Sequence, residues 1–201
     1  MNPPRCQLYL RVPRAMEPGA ARECLAAALE AGDVAALLLR ADEAEDRTIR
    51  MLGTLQPLAQ GRNVSVVLAG PEELAQRLGA DGVEVSARAG YDAARKRLGA
   101  SAIVGADCGV GRHLAMEMAE AGADYVGFAN ASEGGRDLVA WWGELFEVPC
   151  VALDPVGPEE AGELARLGAD FVTPAEAMWA SPAAAKEVVV ETLRKLAEAA
   201  R

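Results

Sequence analysis

Arg40, Asp107, Ser132 and Asp154 stand out because each lies at, or a few residues beyond, the end of a short apolar run. Asp42, Ser86, Cys108, Asn130 and Glu176 hold comparable positions. A cation among carboxylates and hydroxyls can anchor an anionic ligand, move a proton or hold a metal ion, provided the fold brings the run ends together. The four cysteines, Cys6, Cys24, Cys108 and Cys150, are widely spaced without a Cys-x-x-Cys pair, and His113 is the only histidine. No zinc site is expected, and the thiols read as reduced, mostly buried small hydrophobes.

The elements that must position these residues show a repeat. Gly32, Gly79, Gly122 and Gly168 each end a helical pattern, and each is followed within two residues by an aspartate (Asp33, Asp81, Asp124, Asp170) and then an apolar run. Glycine just past a helix end supplies a left-handed cap, and the β-branched run after it reads as a buried parallel strand. Successive glycines are 47, 43 and 46 residues apart, about two compact strand-helix units, so each interval should hold one more strand and helix. The strands expected are residues 7–12, 34–39, 64–68, 82–85, 102–105, 125–128, 150–153 and 171–173. Helical spacing of Ala, Leu and Met appears at 20–31, 47–60, 72–78, 91–98, 112–121, 138–147, 158–167 and 183–199.

Eight strands alternating with eight helices predict a single (β/α)8 barrel spanning residues 1–201 as one domain. A doubly wound open sheet uses the same units, but the repeat at double-unit intervals favours closure. In such a barrel the functional residues lie at the C-terminal strand ends, where Arg40, Asp107, Ser132 and Asp154 fall. His113, Trp141, Trp142 and Trp179 read as solvated or packing residues, and Met116 and Met118 as parts of the fifth helix.

The charge excludes some partners. Thirty acidic residues against twenty basic ones give a net charge of −10, which opposes nucleic-acid or anionic-membrane binding. No apolar stretch reaches about 18 residues, and the opening residues lack the apolar core of a signal peptide, so a cytoplasmic protein is expected. The expected partners are a small-molecule ligand and, in a homo-oligomer, further copies of the chain.

Gln7-Leu8-Tyr9-Leu10, Leu39-Arg40, Leu78-Gly79-Ala80-Asp81-Gly82-Val83, Ala121 to Gly127 and Val148-Pro149-Cys150-Val151-Ala152, in this order, make the chain resemble thiamine phosphate synthase over nearly its whole length. The resemblance implies a transferase of thiamine biosynthesis. It would join a pyrimidine pyrophosphate to a thiazole phosphate and expel pyrophosphate with magnesium.

At the strand ends the chain departs from that family. The family's Gln-x-Arg-x-Lys after the second strand retains only Arg40, in Leu38-Leu39-Arg40-Ala41-Asp42, and its magnesium-binding Asn-Asp after the third strand is Ala69-Gly70. The second expected carboxylate corresponds to Ala89, with Arg88 beside it, and Glu84 stands in place of a histidine. Asp107 replaces a serine, the lysine of the sixth loop has no counterpart between Ala129 and Leu138, and a glycine pair that receives phosphate is Asp154-Pro155. Proline has no N–H to offer, and an aspartate repels phosphate.

These losses lead to an expectation of weak or absent synthase activity, a pseudoenzyme in the extreme. Arg40 would remain as phosphate anchor, with Asp107 or Asp154 as a replacement acid or metal ligand and Ser132 as a further substrate contact. The alternatives are a non-catalytic binding or interaction protein for an uncharged or cationic molecule, and a different enzyme on the same barrel.

Overall fold

The structure, a computed structural model, describes residues 6–200. Eight parallel strands close into a barrel in sequence order: β1 (Gln7–Arg11), β2 (Ala36–Arg40), β3 (Ser65–Ala69), β4 (Gly82–Val85), β5 (Ile103–Asp107), β6 (Tyr125–Phe128), β7 (Cys150–Val156) and β8 (Phe171–Pro174). Around them lie α1 (Pro18–Ala31), α2 (Glu45–Gln60), α3 (Glu72–Leu78), α4 (Arg88–Leu98), α5 (Arg112–Ala121), α6 (Gly135–Leu145), α7 (Pro158–Arg166) and α8 (Pro182–Ala199). A short 3-10 segment, Glu176–Ala180, which the sequence pattern did not reveal, joins β8 to α8. It buries Met178 and Trp179. No helix among the described residues is long and apolar enough to cross a membrane.

Strand alternation divides the apolar residues into two cores. Leu8, Leu10, Leu37, Leu39, Val66, Leu68, Val104 and Val126 face outward and pack under the helices. Tyr9, Leu38, Val67, Tyr125, Val151 and Leu153 face inward and fill the lumen. Small and large residues alternate around that lumen because the space admits only one bulky side chain per neighbourhood. A Cβ at Gly105 would sit 2.0 Å from the Tyr125 ring, and one at Gly127 2.6 Å from Leu153. Outside the barrel, Trp142 is fully buried and donates its indole N–H to Val148 O at 2.7 Å.

The repeated glycine-acid signal has a structural cause that spacing alone does not reveal. Asp81, Asp124 and Asp170 lie just before β4, β6 and β8, and each accepts a backbone N–H from the start of the preceding strand. The donors are Val66 at 2.7 Å, Val104 at 2.7 Å and Cys150 at 2.8 Å. These carboxylates therefore tie strands together at the barrel end opposite the candidate site. Gly79, Gly122 and Gly168 have φ of 71°, 91° and 104°, as the helix-cap reading requires. Gly32 differs: its φ of 171° is extended, and a Cβ there would lie 2.2 Å from Leu193 Cδ1, so that side chain would have to shift.

Candidate active site

The polar residues at the C-terminal strand ends fall on one face, but they do not form one set. Arg40, the last residue of β2, sits between two clefts. One cleft, about 320 Å³, lies over β7, β8, β1 and β2 and is walled by Arg11, Arg14, Arg40, Asp154, Thr173 and Glu176. The other, about 350 Å³, lies over β2 to β5 and carries Arg40 with Glu72, Glu84 and Asp107. Three arginines oppose two carboxylates in the first cleft, and one arginine meets three carboxylates in the second. Ser132 lines neither: it is exposed in the β6–α6 loop, where its carbonyl accepts Gly135 N–H at 2.9 Å.

Glu84 is the least expected member. Standing in place of a histidine, it points into the lumen and is only 5% exposed. Its Oε2 accepts the hydroxyls of Tyr125 at 3.1 Å and Tyr9 at 3.3 Å, and the two hydroxyls are 2.7 Å apart. Burial, reinforced by the Asp107 charge, pushes the Glu84 carboxyl above its usual range, against the opposing pull of Arg11 and the tyrosine hydrogen bonds. Burial likewise pushes the neighbouring Cys108 thiol up to about 12, again with help from Asp107, so this thiol is no nucleophile near neutral pH. All four cysteines are free.

On β7 the ladder to β8 is irregular between Ala152 and Val156, where Pro155 has no N–H to give. Buried Asn130 compensates by accepting Asp154 N–H at 2.8 Å and donating to Asp154 O at 3.4 Å. The Asp154 carboxylate accepts Ala131 N–H at 2.8 Å, so this acid is engaged in fixing the β6–α6 loop.

The thiamine monophosphate synthase family model matches residues 8–178. A thiamine-phosphate synthase of Rhodospirillum centenum is 42% identical over 197 residues, covering 92% of this chain and 95% of the relative. One of Erythrobacter litoralis is 36% identical over 188 residues, covering 86% and 88%. The chain belongs to the thiamine monophosphate synthase family. A solved thiamine phosphate pyrophosphorylase of Pyrococcus furiosus superposes with a TM-score of 0.79, covering 98% of each chain at 24% identity, which agrees with the barrel fold.

Membership places the chain in thiamine biosynthesis and gives the strand-end differences a structural meaning. At Gly70, where the resemblance expects a magnesium carboxylate, a Cβ would lie 2.5 Å from Ala41 Cβ, so the β2–α2 loop has closed over that position. Ala89 is exposed in the first turn of α4, and the adjacent Arg88 pairs with Asp92 at 2.9 Å. Among the described residues no three His, Cys, Asp or Glu side chains form a group that could hold a metal ion. The residues present therefore do not fit magnesium in the arrangement the resemblance implies.

The sequence reading named Arg40 as the sole site cation and missed Arg11 and Arg14. The signal was present: in Leu10-Arg11-Val12-Pro13-Arg14, a charged residue at the end of an otherwise apolar first strand marks a lumen-facing mouth position.

Proposed function

We propose that this barrel carries out the coupling reaction of its family slowly, binding phosphorylated substrates on its cationic side. In that reaction the pyrimidine's bond to diphosphate breaks, the electron pair leaves on the diphosphate oxygen, and the thiazole takes the vacated position. The observation that carries the reading is the pairing of an arginine-walled cleft with an acidic cleft that shares Arg40. Three guanidiniums suit an anionic substrate and weigh against an uncharged or cationic ligand. Arg40 borders both clefts and is placed to hold the departing diphosphate, while Asp107 and Glu84 face the organic part of a substrate.

Slowness follows from the missing metal carboxylates. Each lost group that stabilises developing charge typically costs 10²–10³ in rate, so with two carboxylates absent turnover roughly 10⁴–10⁶ below a synthase that has both is expected. Product formation from pyrimidine pyrophosphate and thiazole phosphate with excess magnesium, measured beside such a synthase, tests this. Equal rates would remove the claim of impairment, and no product at any enzyme concentration would remove the transferase reading. The same proposal has residues 1–201 working as one domain in the cytoplasm, with Ser132 outside the chemistry.

A further inference from the structure

We propose that the N-terminal end of the barrel holds a second binding site, for a small uncharged aromatic molecule, whose occupant packs against Tyr9 and Tyr125 and acts through them on Glu84. The site lies at the opposite end of the lumen from the mouth and stands independently of the coupling reaction proposed above.

Its first support is a cavity at the strand starts. About 250 Å³ in volume, it is walled by Val67, Ile103, Val151 and Phe171 and by the rings of Tyr9 and Tyr125. Strand alternation turns the lowest inward position of each strand to this end, and three neighbouring strands supply small residues there: Ala36 on β2, Ser65 on β3 and Gly82 on β4. Gly82 cannot carry more, since a Cβ would lie 2.0 Å from Ile103 O. A barrel lumen is normally filled by layers of bulky side chains. Here the lowest layer is short, and Ile103 and Phe171 are only half-buried. Apolar surface that faces water favours an apolar occupant.

The second support is electrostatic. Asp124 is the one carboxylate on the cavity wall among the described residues, and its Oδ2 already accepts Val104 N–H and Arg95 Nη2, both at 2.7 Å. Gln7 and Ser65 add only uncharged polar groups. Tyr9 and Tyr125 direct their hydroxyls away, to Glu84 Oε2, and so present ring carbon to the cavity. An ion would lose its hydration there with no counter-charge to replace it. A neutral ring instead extends the edge-to-face pair that the two tyrosines already form, with centroids 5.6 Å apart. Size agrees: an apolar cavity of about 150 Å³ admits benzene, and drug-sized ligands need roughly 300–1,000 Å³, so this one suits a substituted ring or two fused rings.

The third support is the connection to the mouth. Each tyrosine reaches from the cavity wall to Glu84, at 3.3 Å from Tyr9 and 3.1 Å from Tyr125, and the two hydroxyls lie 2.7 Å apart. A ring packed beneath them limits where this pair can sit, and the carboxyl they hold lines the acidic cleft. Coupling between sites is carried by packed, hydrogen-bonded groups of this kind, and here a single layer of side chains separates the two.

The test is titration of the full chain with p-cresol, followed by NMR through the ring resonances of its three tyrosines and three phenylalanines. Saturable shifts at Tyr9, Tyr125 and Phe171 are expected, with half-saturation at about 1 mM or below. The Glu84 carboxyl carbon should shift with them, and Tyr91, on α4, should not. p-Toluate and 4-methylbenzylammonium, the same ring with either charge, should bind roughly tenfold more weakly or worse. Ala36→Leu, which fills the cavity, and Ser65→Leu, which extends a half-buried residue over it, should each weaken p-cresol roughly tenfold. Melting temperatures show that a variant is folded, and the Ser65 variant carries the test if the Ala36 variant is not. Val110→Ala, at an exposed apolar residue of the β5–α5 loop, should change nothing. Shifts that never saturate, a charged probe binding as tightly as p-cresol, wild-type affinity in folded Ser65→Leu, an equal loss in Val110→Ala, or a Glu84 carboxyl resonance that stays still at saturation would each overturn the site as proposed. So would a dimer in sedimentation that Ser65→Leu dissociates, because the cavity would then belong to a second copy of the chain. None of these readouts involves coupled product, so the synthase reading stands or falls separately.

Discussion

The two halves of the barrel mouth are built from the same strand-helix unit and differ in sign. Over β7, β8, β1 and β2, three arginines and Thr173 stand against Asp154 and Glu176, while over β2 to β5 Glu72, Glu84 and Asp107 stand against Arg40 alone. The cationic half is held by fixed contacts, Arg11 to Leu153 and the Arg14 loop to Arg47. Below the acidic half lies the buried Glu84 carboxyl, which accepts the Tyr9 and Tyr125 hydroxyls and which burial and the Asp107 charge push toward its neutral form against those hydrogen bonds. In the proposed function, anion binding and the handling of the organic substrate fall to opposite sides of one opening, with Arg40 between them. A family whose chemistry is associated with metal carboxylates can lose them on one side and keep a cationic site on the other.

The comparison is broken most strongly from below. Gly105→Ala places a methyl group where the Tyr125 ring lies, so the ring must move and the Glu84 network with it. Overpacking of this kind costs about 1–3 kcal/mol, read as a drop in unfolding free energy in denaturant titrations. An unchanged stability would show that the floor of the acidic half is loosely packed.

Removing the shared group comes next. Arg40→Ala should lower phosphate affinity roughly tenfold by calorimetry and leave stability within about 0.5 kcal/mol, because the side chain is exposed and makes no protein hydrogen bond or ion pair among the described residues. Retained affinity would assign the anion to Arg11 and Arg14 alone.

Glu84→Gln sharpens the acidic half through pH. Because burial raises the folded-state carboxyl above its unfolded value, the folded state binds the proton more tightly. The wild type therefore loses stability as pH rises from the ordinary carboxylate range through the raised one. Gln keeps the hydrogen-bonding oxygen and cannot ionise. The melting temperature of the variant relative to wild type should climb over that interval and level off above it. A constant difference would mean that Glu84 titrates normally, with Arg11, Tyr9 and Tyr125 offsetting both its burial and the Asp107 charge.

The smallest effect is expected from Asp154→Asn. The side chain can still accept Ala131 N–H through its amide oxygen, so stability should change by less than about 1 kcal/mol. Phosphate affinity should rise slightly as one rim charge disappears. A large gain would show that Asp154 repels the ligand directly, despite its engagement with the loop.

Much of the scaffold could be read before any coordinates. The alternation of apolar runs with helical spacing located all eight strands and all eight helices to within a few residues, because buried parallel strands and amphipathic helices leave different periods. Ends were less legible. α6 begins at Gly135 and β7 continues to Val156, since Asn130 and the irregular ladder, neither visible as periodicity, decide those boundaries. The site was legible in position and not in composition. Arg40, Asp107 and Asp154 could be placed at strand ends, but Arg11 and Arg14 were hidden because a single cation at the end of a strand has no pattern of its own. Ser132 was included because it follows a strand, although its loop carries it outside both clefts.

The sequence by itself determined the closed barrel, the face on which polar side chains emerge, and the absence of carboxylates at residues 70 and 89. Those follow from local periodicity and residue identity. Only the tertiary structure decided that Glu84 points inward between two tyrosines, that the repeated aspartates tie strands at the far end, and that three arginines share a cleft with Thr173. Each of these depends on which residues distant in the chain become neighbours when the barrel closes: Tyr9 and Tyr125 meet across 116 positions. Pairing at that separation is fixed by strand register and lumen packing, which no window of sequence contains.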